Sequence, residues 1–420
     1  MSAFDLQTWL GAPCLLVLDC SNAGRIIDAL GSMMATSSSS GSPPGQGGSS
    51  SAGAAQSSPP TGGAVLGEDV IILGACDNAA QLPTNPELPA DIFTCCLTTP
   101  LRMALRFACR NALLYVPGAA IDTLPGTLSD RRSPLGELNW IFTAITDSIA
   151  WDMLPRHLFR RLFRQDLLLA SLFRNFLIAQ RVMARSGLYP VSAPPLPPMH
   201  MHPLWESFDL VAEAAICDEY TRRDRGGPPP SPSPFFSDQL TAFEVWLRLG
   251  ARGTQRPPEQ LPILLQVLLS PTHRLRALTL LGRFVSLGAW AVGEMLSVGI
   301  FPYILKLLLS AASELRPPLL FIWAKVLLYD TSCQTDLQRD SAHAFFIESL
   351  KPLQAAVQPV PAATSKSEGT EGGGGGAGSS PTVPPPIQAR ARRAGHLQPR
   401  AAVVVTCHHA RTRPVRMQAQ

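Results

Sequence analysis

Apolar residues follow one another without polar alternation in Cys14–Asp19 (CLLVLD) and again within Asp69–Ala79 (DVIILGACDNA). Such runs read as central strands of a parallel sheet, covered on both faces. A short helix at Asp5–Leu10 and a longer one from Asn22 flank the first run. Residues 91–116 read as helical and turn strand-like at Ala112–Gly118 (ALLYVPG). Two strands of similar grammar separated by helix and loop predict an α/β domain.

Further along, the apolar period changes from continuous to three-and-four. From Leu138 the apolar positions Trp140, Ile141, Ala144, Ile145 and Ile149 mark one helix face. Ser133 is placed to cap that helix, with Pro134 at its first position and Glu137 nearby. After Pro155 a single long helix is predicted to Gly187, with Arg181 and Arg185 in its last turns. A Pro-rich connector over 190–203 leads to a helix at Leu204–Tyr220 and then to a polar gap, Thr221–Pro234.

Residues 235–350 read as helix after helix, bounded by Ser237 and Gly250, then Thr272 and Gly288, with a third opened by Ser313. An internal repeat runs through them. Leu268–Arg276 (LLSPTHRLR) recurs as Leu308–Arg316 (LLSAASELR), with Leu264 and Ile304, Leu265 and Leu305, Val267 and Leu307, and Leu280 and Leu320 in register. A period near 40 in helical sequence is the signature of HEAT or armadillo arrays. Two units are too few to bury their faces alone, so the α/β domain or further repeats must cover the ends.

Composition alters this picture in two places. Thr36–Ala64 is a Ser/Gly/Pro stretch, read as a disordered insertion inside the α/β domain. From 351 onward hydrophobic periodicity is lost, and no fold is assigned to that tail. The formal charge of +4 is also a property of the tail, which carries seven arginines from Arg390 to Arg416 and no acid after Glu371. Without those seven, residues 1–371 total +4 − 7 = −3. The tail lacks interleaved aromatics, so nucleic acid is not an expected partner. Nine cysteines without a CxxC pair suit reduced thiols in a cytosolic chain. Leu10–Leu18 lacks the basic flank of a signal peptide, and no uncharged apolar run reaches the ~18–20 residues that span a bilayer.

Candidate chemistry is sparse. Cys20 ends the first strand in LDCSNAG, where a caspase-type nucleophile would stand. A thiol nucleophile needs an imidazole to activate it and backbone donors for the oxyanion. No histidine precedes His157, so Cys20 reads as a small core thiol. His200 and His202 lack further ligands at metal spacing, and Cys407-His408-His409 lies in the tail. No phosphate-binding glycine loop is present, so no cofactor is expected. More promising is Ser129–Trp140 (SDRRSPLGELNW), where Arg131 and Arg132 precede a helix N-terminus in a carboxylate-recognition corner. The ordinary alternative is a solvated turn pairing with Asp130 or Glu137. Tyr303 and Phe346 are either core residues or the lining of a groove for a Phe-anchored acidic motif.

The segments FDLQTWLGAP, LDCSNAG, LPADIFTCCLTTP, SDRRSPLGELNWIFTAITDSIAWDMLPRHLFRRLFRQDLLLASLFRNFL, SPFFSDQLTAFEVWL, PPEQLPILLQVLLSPTHRLRAL and LSVGIFPYILKLL together resemble the Raptor family. The likeness runs from about Phe4 to Leu350. It implies a truncated chain: the later part of a caspase-like conserved domain over 1–188 with a disordered insert at 32–66, a linker helix over 189–234, armadillo-type repeats over 235–350, and a disordered tail over 351–420. The family's earlier Gly-His-Gly strand, most of the solenoid and the propeller are not in this sequence. The resemblance implies a non-catalytic, cytoplasmic scaffold, recruited to the lysosome or vacuole surface. Its partners would be the target-of-rapamycin (TOR) kinase and substrates carrying a Phe-acidic TOR signalling motif. It assigns Arg131 to the motif's carboxylate, Tyr303 and Phe346 to its Phe ring, and Lys306 to the same acids. The rival readings are a cysteine hydrolase using Cys20 and a helical-repeat scaffold of unrelated role.

Overall fold

The computed structural model describes residues 14–39, 70–111, 118–226, 231–249, 257–310, 313–339, 343–348 and 401–406. The helix expected at Asp5–Leu10, the strand-like 112–117 and most of the Ser/Gly/Pro stretch lie outside them. The chain divides into two units: one reaches Ser332 and includes the strand at 401–406, and the other begins at Cys333.

In the first unit, β1 (Cys14–Asp19) is buried along its whole length, and β2 (Val70–Gly74) pairs with it in parallel, Leu16 opposite Ile72. Between them runs α1 (Ala23–Ser39), which seats on the sheet through a core of Leu16, Leu18, Ala23, Leu30 and Ile72. Asn22 makes the tight strand-to-helix turn at φ 59°, a left-handed conformation that asparagine tolerates better than most side chains.

Two strands were not legible in the sequence. β3 (Val191–Ala193), inside the Pro-rich connector, pairs antiparallel with β2. β4 (Ala401–Thr406) pairs parallel with β1, giving the order β3-β2-β1-β4. The expectation of a tail without fold therefore fails at those six residues. Their Ala-Ala-Val-Val-Val run is β-branched and apolar, which suits the open edge of β1.

The remainder is helical. Within the stretch read as helical, the described residues form two helices, α2 (Ile92–Thr98) and α3 (Pro100–Asn111), bent 117° at Thr99. Asp91 caps α2 by accepting from the Phe93 and Thr94 amides at 2.9 Å each, and Pro100 cannot continue its ladder. α4 (Pro134–Met153) starts where Ser133 and Pro134 predict, with Ser133 Oγ accepting from the Gly136 amide.

The single helix expected after Pro155 is instead two, α5 (Arg156–Arg164) and α6 (Leu167–Ala184). Asp166 breaks it by capping the Leu169 amide at 2.8 Å. By length and composition α6 alone among the described helices qualifies as a membrane span. It packs within the protein instead: Arg174 binds Asp147 of α4, and Arg181 forms a two-bonded pair with Asp209.

α7 (Leu204–Arg225) outlasts its predicted end at Tyr220 by five residues, because Glu219 holds Arg222 and Arg223 on its last turns. Then come α8 (Phe235–Leu249), α9 (Leu261–Leu268), α10 (Arg274–Val285), α11 (Ala289–Val298), α12 (Phe301–Ser310) and α13 (Arg316–Tyr329). The 40-residue repeat falls on equivalent helix pairs, α9 with α10 and α12 with α13, and α10 packs on α13. α9 packs on α4, and α11 on α5, so the repeats and the preceding helices share one core.

A buried ion network ties that junction. Asp147 is fully buried and faces Arg174 at 2.7 Å and Arg164 at 3.1 Å. Burial alone would raise its pKa, but the two guanidiniums outweigh burial and hold it below the usual carboxylate range. Arg164 also donates to the Val298 carbonyl at the end of α11, and Arg156 pairs with Glu294 at 3.0 Å.

The second unit contains α14 (Gln334–Arg339) and a helix over 343–348.

Candidate functional site

The carboxyl ends of β1 and β2 are where an α/β sheet presents reactive groups. Here the chain's own loop fills that place. The Asn22 amide donates to the Ala80 carbonyl and the Gly24 amide to the Cys76 carbonyl, both at 3.0 Å. Ser21 Oγ accepts from the Leu82 amide, and Arg25 and the Asn22 side chain both donate to the Asn78 carbonyl. Cys76 Sγ lies 3.5 Å from the carbonyl oxygen of half-buried Cys20. Amides that would hold an oxyanion beside Cys20 are thus spent on carbonyls of residues 76–80. The fit is close: a Cβ on Gly24 would lie 2.3 Å from Asn78 Oδ1.

Among the described residues, histidines stand elsewhere. His202 bridges Asp152 and the Leu204 amide, His200 packs on Tyr189, and His273 precedes α10.

The second candidate is the corner at the start of α4. Asp130 organises it: its carboxylate accepts from the Arg132 amide, and its carbonyl accepts from the amide and hydroxyl of Ser133. This turn wraps so tightly that a Cβ on Gly136 would meet the Asp130 carbonyl oxygen at 2.0 Å. Glu137, the other expected internal partner of the arginines, is turned away and accepts from the Ser233 amide at 3.0 Å. Burial raises its pKa, and that amide partly offsets the rise.

Arg131 reaches solvent, with its guanidinium carbon 5.0 Å from the centre of the Trp140 ring. Trp140 in turn stacks on Phe236, centroids 3.9 Å apart. Partial loss of hydration lowers the Arg131 pKa, and electrostatic interaction with Tyr303 opposes that fall. Tyr303 is half-buried on α12. Lys306 follows Tyr303 by three residues on the exposed side of α12. Phe346 is half-buried in the 343–348 helix of the second unit.

Beside Arg131 opens a groove of about 630 Å³. Arg131 and Arg132 supply its cationic rim, Trp140, Leu210 and Val211 part of its apolar wall, Glu137 and Asp218 its acids, and His273 also lines it. Leu210 is 64% exposed there. The indole nitrogen of Trp140 is buried and has no hydrogen-bond partner among the described residues. Spacing alone counts Trp140 as one more apolar position on α4; only the approach of α7 and residues 231–236 makes it a groove wall.

Comparison with family models finds no match. Curated relatives are similar over most of the chain. Regulatory-associated protein of TOR 2 of Oryza sativa is 51% identical over 355 residues, covering 84% of this chain and 24% of the relative. Regulatory-associated protein of TOR 1 of Arabidopsis thaliana is 50% identical over 348 residues, 82% of this chain and 24% of the relative. The target of rapamycin complex 1 subunit mip1 of Schizosaccharomyces pombe is 48% identical over 358 residues, 84% and 26%. Among solved structures, the crystal structure of Chaetomium thermophilum Raptor matches with a TM-score of 0.70 and 48% identity, covering 82% of this chain and 30% of that one. The chain spans about a quarter of the length of the curated relatives it matches.

Proposed function

This chain is a Raptor homologue over most of its length, and from that premise we propose that it serves as a non-catalytic adaptor of a TOR kinase complex. In this reading the sheet and its helices belong to a caspase-like domain, and α8 to α13 to an armadillo-type solenoid. The solenoid side binds the kinase, and the corner at α4 presents substrates carrying a short Phe-acidic motif. The adaptor works in the cytoplasm and is drawn to the lysosome or vacuole surface by its partners.

The observation that supports this proposal is the placement of Arg131 over the Trp140 ring at the rim of an apolar groove. A guanidinium suits the motif's carboxylate, and the phenol edge of Tyr303 suits its aromatic ring. Lys306 adds charge for the trailing acids. A buried aromatic anchor with one partly desolvated arginine contact supplies ~3–5 kcal/mol, in keeping with weak, exchangeable recruitment.

The test is a fluorescence-anisotropy titration of a Phe-acidic motif peptide against the full chain and its Arg131→Glu variant. Charge reversal is expected to abolish saturable binding while the circular dichroism spectrum stays unchanged. Equal affinity for both proteins would remove the site assignment.

A further inference from the structure

A second cavity, of about 470 Å³, lies away from the α4 corner, between α3, the end of α6 and the segment preceding α2. Arg106 and Arg110 reach it from α3, four residues apart and so on one helix face. Arg185 enters from just beyond α6. Met103, Phe107 and Ile121 are among its apolar lining, and Asn85 and Ser186 offer polar groups.

The arginines of this region differ in their partners. Arg102 pairs with Asp122, Arg181 with Asp209, and Arg185 with the Asn111 side chain. Arg110 meets Glu87 at 3.4 Å across a solvent-exposed gap, a contact of little energetic weight. Arg106 is half-buried in the cavity wall and has no ion pair or hydrogen bond among the described residues. Desolvating a guanidinium without a partner costs free energy that an incoming anion would recover. Of the two acids in the lining, Asp122 is paired with Arg102, while Glu87 faces Arg110 across that exposed gap.

We propose that this cavity binds a phosphate monoester, held by Arg106, Arg110 and Arg185, with the organic part of the ligand against Phe107 and Ile121. Guanidinium forks match phosphate oxygens in pairs, which favours phosphate over a simple halide. The volume accepts a phosphorylated side chain or a small free phosphate ester, and both share the recognition chemistry.

The experiment is isothermal titration of the full chain with three probes: inorganic phosphate, adenosine monophosphate, and a short phosphoserine peptide of otherwise neutral sequence. Arg106→Gln is expected to weaken binding ~10–100-fold, the range for one charge-assisted contact. Arg110→Gln should weaken it less, because that side chain is more exposed. Arg161→Gln on α5, an arginine outside the cavity, should leave the affinity unchanged. Saturable binding of the nucleotide alone identifies a free ester, and binding of the peptide alone identifies a modified protein segment; either supports the site. The proposal is overturned if no probe binds at millimolar concentration, or if binding survives in the Arg106→Gln, Arg110→Gln double variant.

Discussion

Asp147→Asn tests whether the ion network under α4 holds the helical part of the molecule together. The carboxylate is completely buried, while Arg174 and Arg164 are only 17% and 14% exposed. Asparagine keeps the shape and one acceptor oxygen but leaves two guanidiniums facing a neutral group. Removing one member of a buried pair costs ~3–5 kcal/mol, chiefly through the charge left behind. At ~2–4 °C per kcal/mol for a domain of this size, the unfolding midpoint should fall by ~6–20 °C. Thermal denaturation followed by far-ultraviolet circular dichroism at neutral pH reads this directly. A double-mutant cycle with Arg174→Met isolates the pairwise contribution, and the double variant should lose less than the sum of the two single losses. A midpoint shift of less than ~2 °C for Asp147→Asn would refute the reasoning, because the junction would then rest on apolar packing alone.

Two further outcomes follow from other contacts. Arg222 and Arg223 outweigh burial and hold the Glu219 pKa at about 2, below its ordinary 4.5. A depressed carboxylate contributes its stability in full above 4.5 and loses it as pH falls towards 2, so Glu219→Gln should flatten that acid limb in urea midpoints measured against pH. Gly24→Ala would put a methyl carbon 2.3 Å from Asn78 Oδ1 and 2.9 Å from the Asn78 backbone nitrogen. It should lower stability by ~1–3 kcal/mol in urea unfolding, and an unchanged midpoint would show that the 75–82 loop yields freely.

The sequence made some of this legible because the signal was local. Continuous apolar runs located β1 and β2, Ser133 and Pro134 located the start of α4, and the 40-residue recurrence located two equivalent helix pairs. What escaped depended on partners distant in the chain. β3 is three residues in a Pro-rich connector, and only the free edge of β2 makes it a strand. β4 lies in a stretch whose surroundings carry no periodicity, and β1 supplies its register. The break between α5 and α6 was masked because apolar spacing continues across Asp166, whose capping role competes with helix continuation. At the α4 corner, Arg131 was legible from its place before a helix N-terminus. The wall of the groove was not, since Leu210 and Phe236 arrive there from α7 and α8. Spacing on α3 does not set Arg106 apart; the partners of Arg102, Arg181 and Arg185 do.

The join between α1 and β2 has a practical consequence. Those elements end at Ser39 and begin at Val70, and the register of the strands they flank is fixed by β1 and β2 themselves. Doubling the intervening length adds only ~0.6 kcal/mol of closure entropy. A reporter protein or affinity handle spliced between Ser39 and Val70 should therefore leave the pairing of β1 with β2 intact, which makes this join a convenient place to attach a probe.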